Sequence, residues 1–141
     1  MIALAITCTL ITITWIAIPI IKDNRPNNMK EKIEHDINRI IDTVSTVTGI
    51  TVQEIKGTSR KREIVIARQV AVYVIHQKYF GKGYGVTWQR LGKSVCRDHS
   101  TAIHSVKTVK DAIDAKTKDL TLILNRTVEM MGEPSNEEIT Y

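Results

Sequence analysis

The twenty-residue stretch from Arg60 to Tyr79 constrains the fold of this chain most strongly. It contains no glycine or proline, and its apolar residues recur every three or four positions, which is the spacing of one face of an α-helix. The residues on this face are Ile64, Ala67, Ala71, Val74 and Ile75. A helix of this length spans about 30 Å, and its apolar face must be covered by other elements. The stretch therefore predicts a long central helix with a basic entrance.

The segments before the central helix are also helical in pattern. Apolar residues keep helical spacing from Ile33 to Val47, and Gly49 ends the run. The sequence TVQE at Thr51–Glu54 has the form of a capping box, which predicts a second, short helix. Between Lys56 and Ser59 the pattern breaks. These features predict two helices ahead of the central one.

After the central helix the sequence predicts a helix-turn-helix. The glycine-rich GKGYG at Gly81–Gly85 predicts a loop, and Thr87 is placed to cap a short helix of sequence WQRLGKS. A short turn then leads to Asp98, a good N-cap for a longer helix. In that helix we expect four apolar residues to face inward: Ile103, Val106, Val109 and Ile113. Four polar residues are left to solvent or a ligand: Ser100, Thr101, His104 and Lys107.

These patterns together predict an all-α chain with one main domain, since 141 residues suffice for about one. Leu120, Leu124 and Val128 form a further apolar stripe, which predicts a last helix. The expected organisation is a hydrophobic segment at 1–21, a linker at 22–29, the helix-turn-helix domain at 30–115, an additional helix at 116–132 and a disordered tail at 133–141.

The first 21 residues, Met1–Ile21, contain no charged side chain. As a helix they would measure about 31 Å, the thickness of a bilayer's hydrocarbon core, so they are a candidate transmembrane helix. Basic residues follow directly, which would leave the rest of the chain in the cytoplasm with residues 2–21 as an inner-membrane anchor. Translation starting at Met29 is the alternative interpretation, with a buried core helix as a third.

Charge is concentrated in the middle of the chain. From Lys56 to Lys110 there are 12 basic and 2 acidic residues, whereas the flanking segments are slightly acidic. A positive field confined to one region suits a polyanion such as nucleic acid, or an anionic membrane surface. Cys8 and Cys96 do not make a disulfide framework, so nothing here indicates an oxidising compartment.

Two motifs resemble the C-terminal DNA-binding domain of the bacterial replication initiator DnaA. RKREIVIARQ at Arg60–Gln69 is similar to the family's basic-loop motif, and RDHSTAIH at Arg97–His104 is similar to its signature sequence. Between them, Leu91 and Gly92 stand where the family has Ile-Gly. The resemblance covers roughly residues 36–113 and implies an all-helical domain that binds double-stranded DNA at an A·T-rich box.

The chain departs from the family pattern in three respects. The loop at Lys78–Val86 is longer than usual, and the turn before RDH is one residue shorter, with Val95 and Cys96 where glycines are common. The sequence also contains no Walker motif or ATPase region. By itself it therefore cannot bind ATP and melt an origin, and a replication protein that supplies ATPase activity is an expected partner.

The resemblance also implies roles for individual residues. The start of the RDH helix would enter the major groove and place Asp98, His99, Ser100 and Thr101 against bases, types that suit hydrogen bonding to base edges and contact with a thymine methyl. Asp98 is alternatively, or in addition, the cap of its own helix. Arg60 would enter an A·T-rich minor groove. The candidates for phosphate contacts are Arg62, Arg68, Gln69, Lys93, Arg97 and Lys107.

Other functions are less well supported by the residues. Cys96, His99 and His104 have metal-ligand spacing without a fourth ligand, and Ser100 with His104 lacks the strained elbow and oxyanion site of a hydrolase. GKGYG follows no predicted strand, and Trp88 is interpreted as a core residue. We therefore expect no enzymatic activity, metal or cofactor. The main alternative to DNA binding is a membrane-attached helical adaptor for a protein or anionic lipid, without base reading.

Overall fold

The computed structural model describes residues 25–132, with side chains from Asn28 onward. All regular structure in this range is α-helical, which confirms the predicted fold class. Six helices follow one another: α1 (Arg25–Thr48), α2 (Val52–Lys56), α3 (Arg62–Tyr79), α4 (Trp88–Ser94), α5 (His99–Asp114) and α6 (Lys118–Met130).

The described residues fall into two units, of which the first ends at Ile33 and the second begins at Glu34. In the first unit the described part is the beginning of α1, which starts at Arg25 inside the segment predicted as a linker. Pro26 does not prevent this, because the first N–H groups of a helix have no intrahelical partner and a proline there loses no hydrogen bond. The second unit holds the rest of α1 and all later described helices.

Helix α3 is the centre of the second unit. It packs against α2, α4, α5 and α6, and most of its residues are buried. A helix covered on nearly every side needs apolar residues around most of its circumference, which the run Val70–Ile75 supplies. From α1, the core receives Ile37, Ile40, Ile41 and Val44. The predicted central helix is thus confirmed.

Local signals at the helix ends behave as the sequence predicts. Gly49 follows α1 with a φ of +70°, the left-handed conformation that glycine adopts without a steric penalty, and its N–H bonds to the Ser45 carbonyl at 2.9 Å. Thr51 and Glu54 form the reciprocal capping box of α2. The Arg90 N–H donates to Thr87 Oγ1 at 3.3 Å, so Thr87 caps α4.

The inward face of α5 differs from the prediction. Its buried residues are Ala102, Ser105, Val106 and Val109, whereas Ile103 is 44% exposed and Ile113 is only half-buried. The buried set follows a 3, 1, 3 spacing along one helical face, and Ile103 lies about 100° around the helix from Ala102. The prediction for Ile103 was wrong because it followed residue hydrophobicity, whereas a small alanine and a serine occupy the inward positions beside it.

Helix α6 packs against both α3 and α5 and buries Leu120, Leu124 and Val128, which confirms the predicted stripe. It therefore belongs to the same compact unit as the helix-turn-helix. Trp88, interpreted from the sequence as a core residue, is only half-buried. Its ring stacks on His76 and contacts Phe80 at a tilt, with centroids 4.9 and 4.4 Å away.

The predictions for Met1–Ile21 and for residues 133–141 lie outside the described residues. Among the helices within residues 25–132, none has the length and apolar character needed to cross a membrane.

Candidate nucleic-acid interface

Helices α4 and α5 pack against each other as a helix-turn-helix, joined by the turn Val95–Arg97. Within the turn, Cys96 has a φ of +53°, a left-handed conformation that costs most non-glycine residues about 1 kcal/mol or more. The Arg97 N–H donates to the Gly92 carbonyl at 2.8 Å, and the Cys96 N–H donates to the Lys93 carbonyl at 3.0 Å. These bonds close the turn tightly in spite of the unfavourable residue type.

Gly92 allows the close approach of the two helices. A Cβ atom at this position would lie 2.5 Å from the Asp98 carbonyl oxygen and 2.7 Å from that of Arg97. Both neighbours are backbone atoms, so they cannot rotate away as a side chain would. Only glycine fits at this position when the start of α5 packs directly against α4. This is the physical reason for the glycine in the Leu91-Gly92 pair.

Asp98 caps α5, as predicted. The Thr101 N–H donates to Asp98 Oδ1 at 3.0 Å. Hydrogen bonds from the side chain and then the backbone of Thr101 hold the pKa of the Asp98 carboxyl below its usual value. The carboxylate is therefore ionised near neutral pH, and an ionised carboxylate accepts about four hydrogen bonds, so capping does not exhaust it.

The first turns of α5 present a polar face to solvent. Asp98, His99 and Ser100 are exposed, and Thr101 is half-buried. Ile103, His104 and Lys107 continue the exposed surface along the helix. Ile103 is a surface residue that the sequence prediction missed, and the signal that could have revealed it is the pair of small residues, Ala102 and Ser105, on the inward side.

A second basic element, the loop Gly57–Lys61, connects α2 to α3. We call this segment the basic loop. Arg60 and Lys61 are exposed on it, and Arg62 is exposed at the start of α3. The side chains in this region are thus available to an anionic ligand.

Arg68 does not belong to the exposed basic surface, which corrects its prediction as a phosphate contact. It is 5% exposed, and its Nε and Nη2 atoms donate to the carbonyls of Ile55 and Gly57 at 2.7 and 2.9 Å. Burial, and then the charge of Arg97, lower the pKa of Arg68. Its guanidinium binds carbonyls in the last turn of α2 and in the basic loop, so its role is to fix the basic loop to α3.

Arg97 is half-buried and also contacts the basic loop. Its Nη2 atom donates to the Gly57 carbonyl, and its Nη1 atom donates to the carbonyl of Cys96 at 3.0 Å. The structure therefore brings the basic loop next to the turn that precedes α5. The sequence gives no direct signal of this contact, because the two partners are 40 residues apart.

The remaining predicted phosphate contacts differ in exposure. Lys93 on α4 and Lys107 on α5 are exposed, as is Arg62. Gln69 is half-buried and lines a groove together with Arg60 and Arg62. No group of three or more histidine, cysteine or acidic side chains with metal-site geometry occurs within residues 25–132.

Comparisons with known proteins agree with this geometry. The family model described as "Bacterial dnaA protein helix-turn-helix" matches residues 37–109. The proteins named chromosomal replication initiator protein DnaA from Kosmotoga olearia and from Streptococcus agalactiae are 35% and 38% identical over 86 and 66 residues. These alignments cover 61% and 46% of this chain.

A third relative, DnaA 1 of Chlamydia pneumoniae, is 34% identical over 82 residues, or 58% of this chain. The aligned part spans less than a fifth of each relative: 18% for Kosmotoga olearia, 14% for Streptococcus agalactiae and 17% for Chlamydia pneumoniae. The family match covers more than half of the chain and includes both motifs. The chain therefore belongs to the family of bacterial DnaA helix-turn-helix DNA-binding domains.

Proposed function

We propose that this domain binds double-stranded DNA sequence-specifically, at an A·T-rich site of the DnaA-box type, in the control of replication initiation or of transcription. The observation that carries the proposal is the contact between Arg97 and the Gly57 carbonyl, which places the basic loop beside the start of α5. On B-form DNA each major groove lies beside a minor groove. The start of α5 and the basic loop can therefore enter one groove each.

The start of α5 supplies the base-reading groups of this proposal. Asp98 accepts from a cytosine amino group, and His99 and Ser100 donate to or accept from base edges. The Thr101 methyl packs against a thymine methyl. The exposure of the first three side chains supports this assignment, and the half-burial of Thr101 leaves its contact to the outer part of the side chain.

Arg60 reads the minor groove in this proposal. Its side chain is exposed on the basic loop, and the negative potential of a narrow A·T-rich minor groove attracts an inserted guanidinium. Arg62, Gln69, Lys93 and Lys107 contact phosphates, which fixes the register of the domain without reading sequence.

The proposed role in replication initiation rests on the names of the relatives. The relatives are named as chromosomal replication initiators. We propose a replication protein that supplies ATPase activity as a partner. The site of action is the cytoplasm, where the DNA is, with residues 2–21 as a membrane anchor if they are present in the native protein. Mass spectrometry of the native N-terminus tests whether translation begins at Met1 or at Met29.

Selection of bound duplexes from a random pool, followed by gel-shift titration, tests the proposed function. We expect an A·T-rich sequence to be enriched, and the selected duplex to bind at least about a thousandfold more tightly than its shuffled version at physiological salt. Equal affinity for both duplexes at every salt concentration would instead support the membrane-attached adaptor that binds a protein or anionic lipid.

A further inference from the structure

The Gly57 carbonyl oxygen accepts hydrogen bonds from two arginine side chains. Arg68 Nη2 donates to it at 2.9 Å, and Arg97 Nη2 donates to the same oxygen. A carbonyl oxygen has two lone pairs, so it can accept both bonds. Arg68 comes from α3, immediately after the basic loop, whereas Arg97 comes from the turn of the helix-turn-helix. One backbone atom of the basic loop is therefore tied to both neighbouring elements.

This arrangement holds two positive charges close together. Burial, and then the charge of Arg97, lower the pKa of Arg68, so the two guanidinium groups repel each other. The hydrogen bonds to Gly57 and Cys96 offset this repulsion on the side of Arg97. Because its donors bind protein carbonyls, the Arg97 side chain stabilises the contact between the turn and the basic loop.

We propose that Arg97 is a positioning residue that sets the distance between the minor-groove residue Arg60 and the base-reading start of α5. This inference rests on the proposed DNA-binding function and replaces the expected phosphate contact of Arg97. Arg60 is three residues from Gly57, so its Cα lies within about 10 Å of the anchored residue. Asp98 directly follows Arg97. The hydrogen bond from Arg97 to the Gly57 carbonyl therefore holds the basic loop, which carries Arg60, at a fixed distance from the start of α5.

Positioning and phosphate binding have different consequences for DNA affinity. A phosphate contact contributes equally on every sequence, and its loss weakens selected and shuffled duplexes alike. A positioning contact contributes only where Arg60 and α5 must both fit one site. Its loss therefore weakens the selected duplex, and the loss disappears when Arg60 is absent, because there is then no second reader to position.

A double-mutant cycle on the whole chain tests the proposal, with Arg97→Met and Arg60→Ala alone and combined. Affinities are measured for the selected duplex and its shuffled version across a range of salt. We expect Arg97→Met to cost about tenfold on the selected duplex and less than about twofold on the shuffled one. In the Arg60→Ala background, the same change should cost less than about twofold on either duplex.

Lys93→Met provides the matched control, since Lys93 is an exposed basic residue on α4. It should weaken both duplexes equally, lower the salt slope by about 0.9, and add independently to Arg60→Ala. Arg97→Gln is the second variant, because glutamine keeps a donor for the Gly57 carbonyl without the charge. It should retain most of the affinity for the selected duplex, and circular dichroism confirms that each variant is folded.

The outcomes separate the proposal from the proposed function. If the unmodified chain does not distinguish the selected from the shuffled duplex, the proposed function fails. If it does distinguish them, but Arg97→Met and Arg97→Gln weaken both duplexes alike and add to Arg60→Ala, then Arg97 contacts phosphate and the positioning role is overturned.

Discussion

At the scale of single residues, His99 provides the sharpest test of base reading. It is exposed at the first position of α5, so its substitution should leave the packing of the core unchanged. We expect His99→Ala to cost about 1 to 3 kcal/mol of binding free energy on the selected duplex and little on a shuffled one, because only the first presents the matching base edge. Gel-shift titration measures both, and equal losses on the two duplexes would remove His99 from the base-reading set.

Gly92 is the residue on which the helix-turn-helix geometry depends most directly. Gly92→Ala would bring a Cβ within 2.5 Å of a backbone oxygen, so α5 would have to move away from α4. We expect the free energy of unfolding to fall by about 1 to 3 kcal/mol, as in other overpacked sites. Urea denaturation measures this loss. Lys93→Ala, at the next position on the exposed side of α4, should change stability by less than about 0.5 kcal/mol.

At the scale of secondary-structure elements, substitutions in α5 test which face of this helix packs against the core. Val109 is fully buried and Ile103 is 44% exposed. We expect Val109→Ala to lower the free energy of unfolding by about 2 kcal/mol, whereas Ile103→Ala should change it by less than about 0.5 kcal/mol although it removes more apolar surface. A larger loss from Ile103→Ala than from Val109→Ala in urea denaturation would contradict the orientation of α5.

The elements show what the sequence could and could not predict. Helix boundaries at Gly49, Thr51, Thr87 and Asp98 were predictable, because capping depends on a few neighbouring residues. The orientation of α5 was less so, because Ala102 and Ser105 are inward for reasons of space rather than hydrophobicity. The burial of Arg68 could not be read from its motif, since it depends on carbonyls 9 to 14 residues away.

At the scale of the whole molecule, α6 extends the folded unit beyond the part that matches the family model. The match ends at residue 109, yet Leu120, Leu124 and Val128 are buried where α6 packs on α3 and α5. Helix α3 anchors the basic loop through Arg68, and α5 carries the residues proposed to read bases, so α6 packs against both elements that hold the proposed DNA-binding surface.

The stability of the whole domain should depend on pH through His76. This residue of α3 stacks on both Phe80 and Trp88, with ring centroids 4.6 and 4.9 Å away. Its Nδ1 atom is buried and has no hydrogen-bond partner among the described residues. Burial, and then the positive charge of Lys110, lower the pKa of His76. Protonation is thus easier in the unfolded chain than in the folded one.

We therefore expect the domain to lose stability as the pH falls below 6.5, the ordinary pKa of the unfolded histidine, and to continue losing it until the pH reaches the lower folded value. Above 6.5 the residue is neutral in both states and contributes no slope. His76→Phe keeps an aromatic ring in the stack and should remove this part of the pH dependence, whereas His104→Gln, at an exposed site on α5, should leave it unchanged. Thermal unfolding between pH 5 and pH 8, a range chosen to span about 1.5 pH units on either side of 6.5, measures both. The other histidines within residues 28–132 are exposed, so a slope that survives in His76→Phe would assign the titration to a group other than His76.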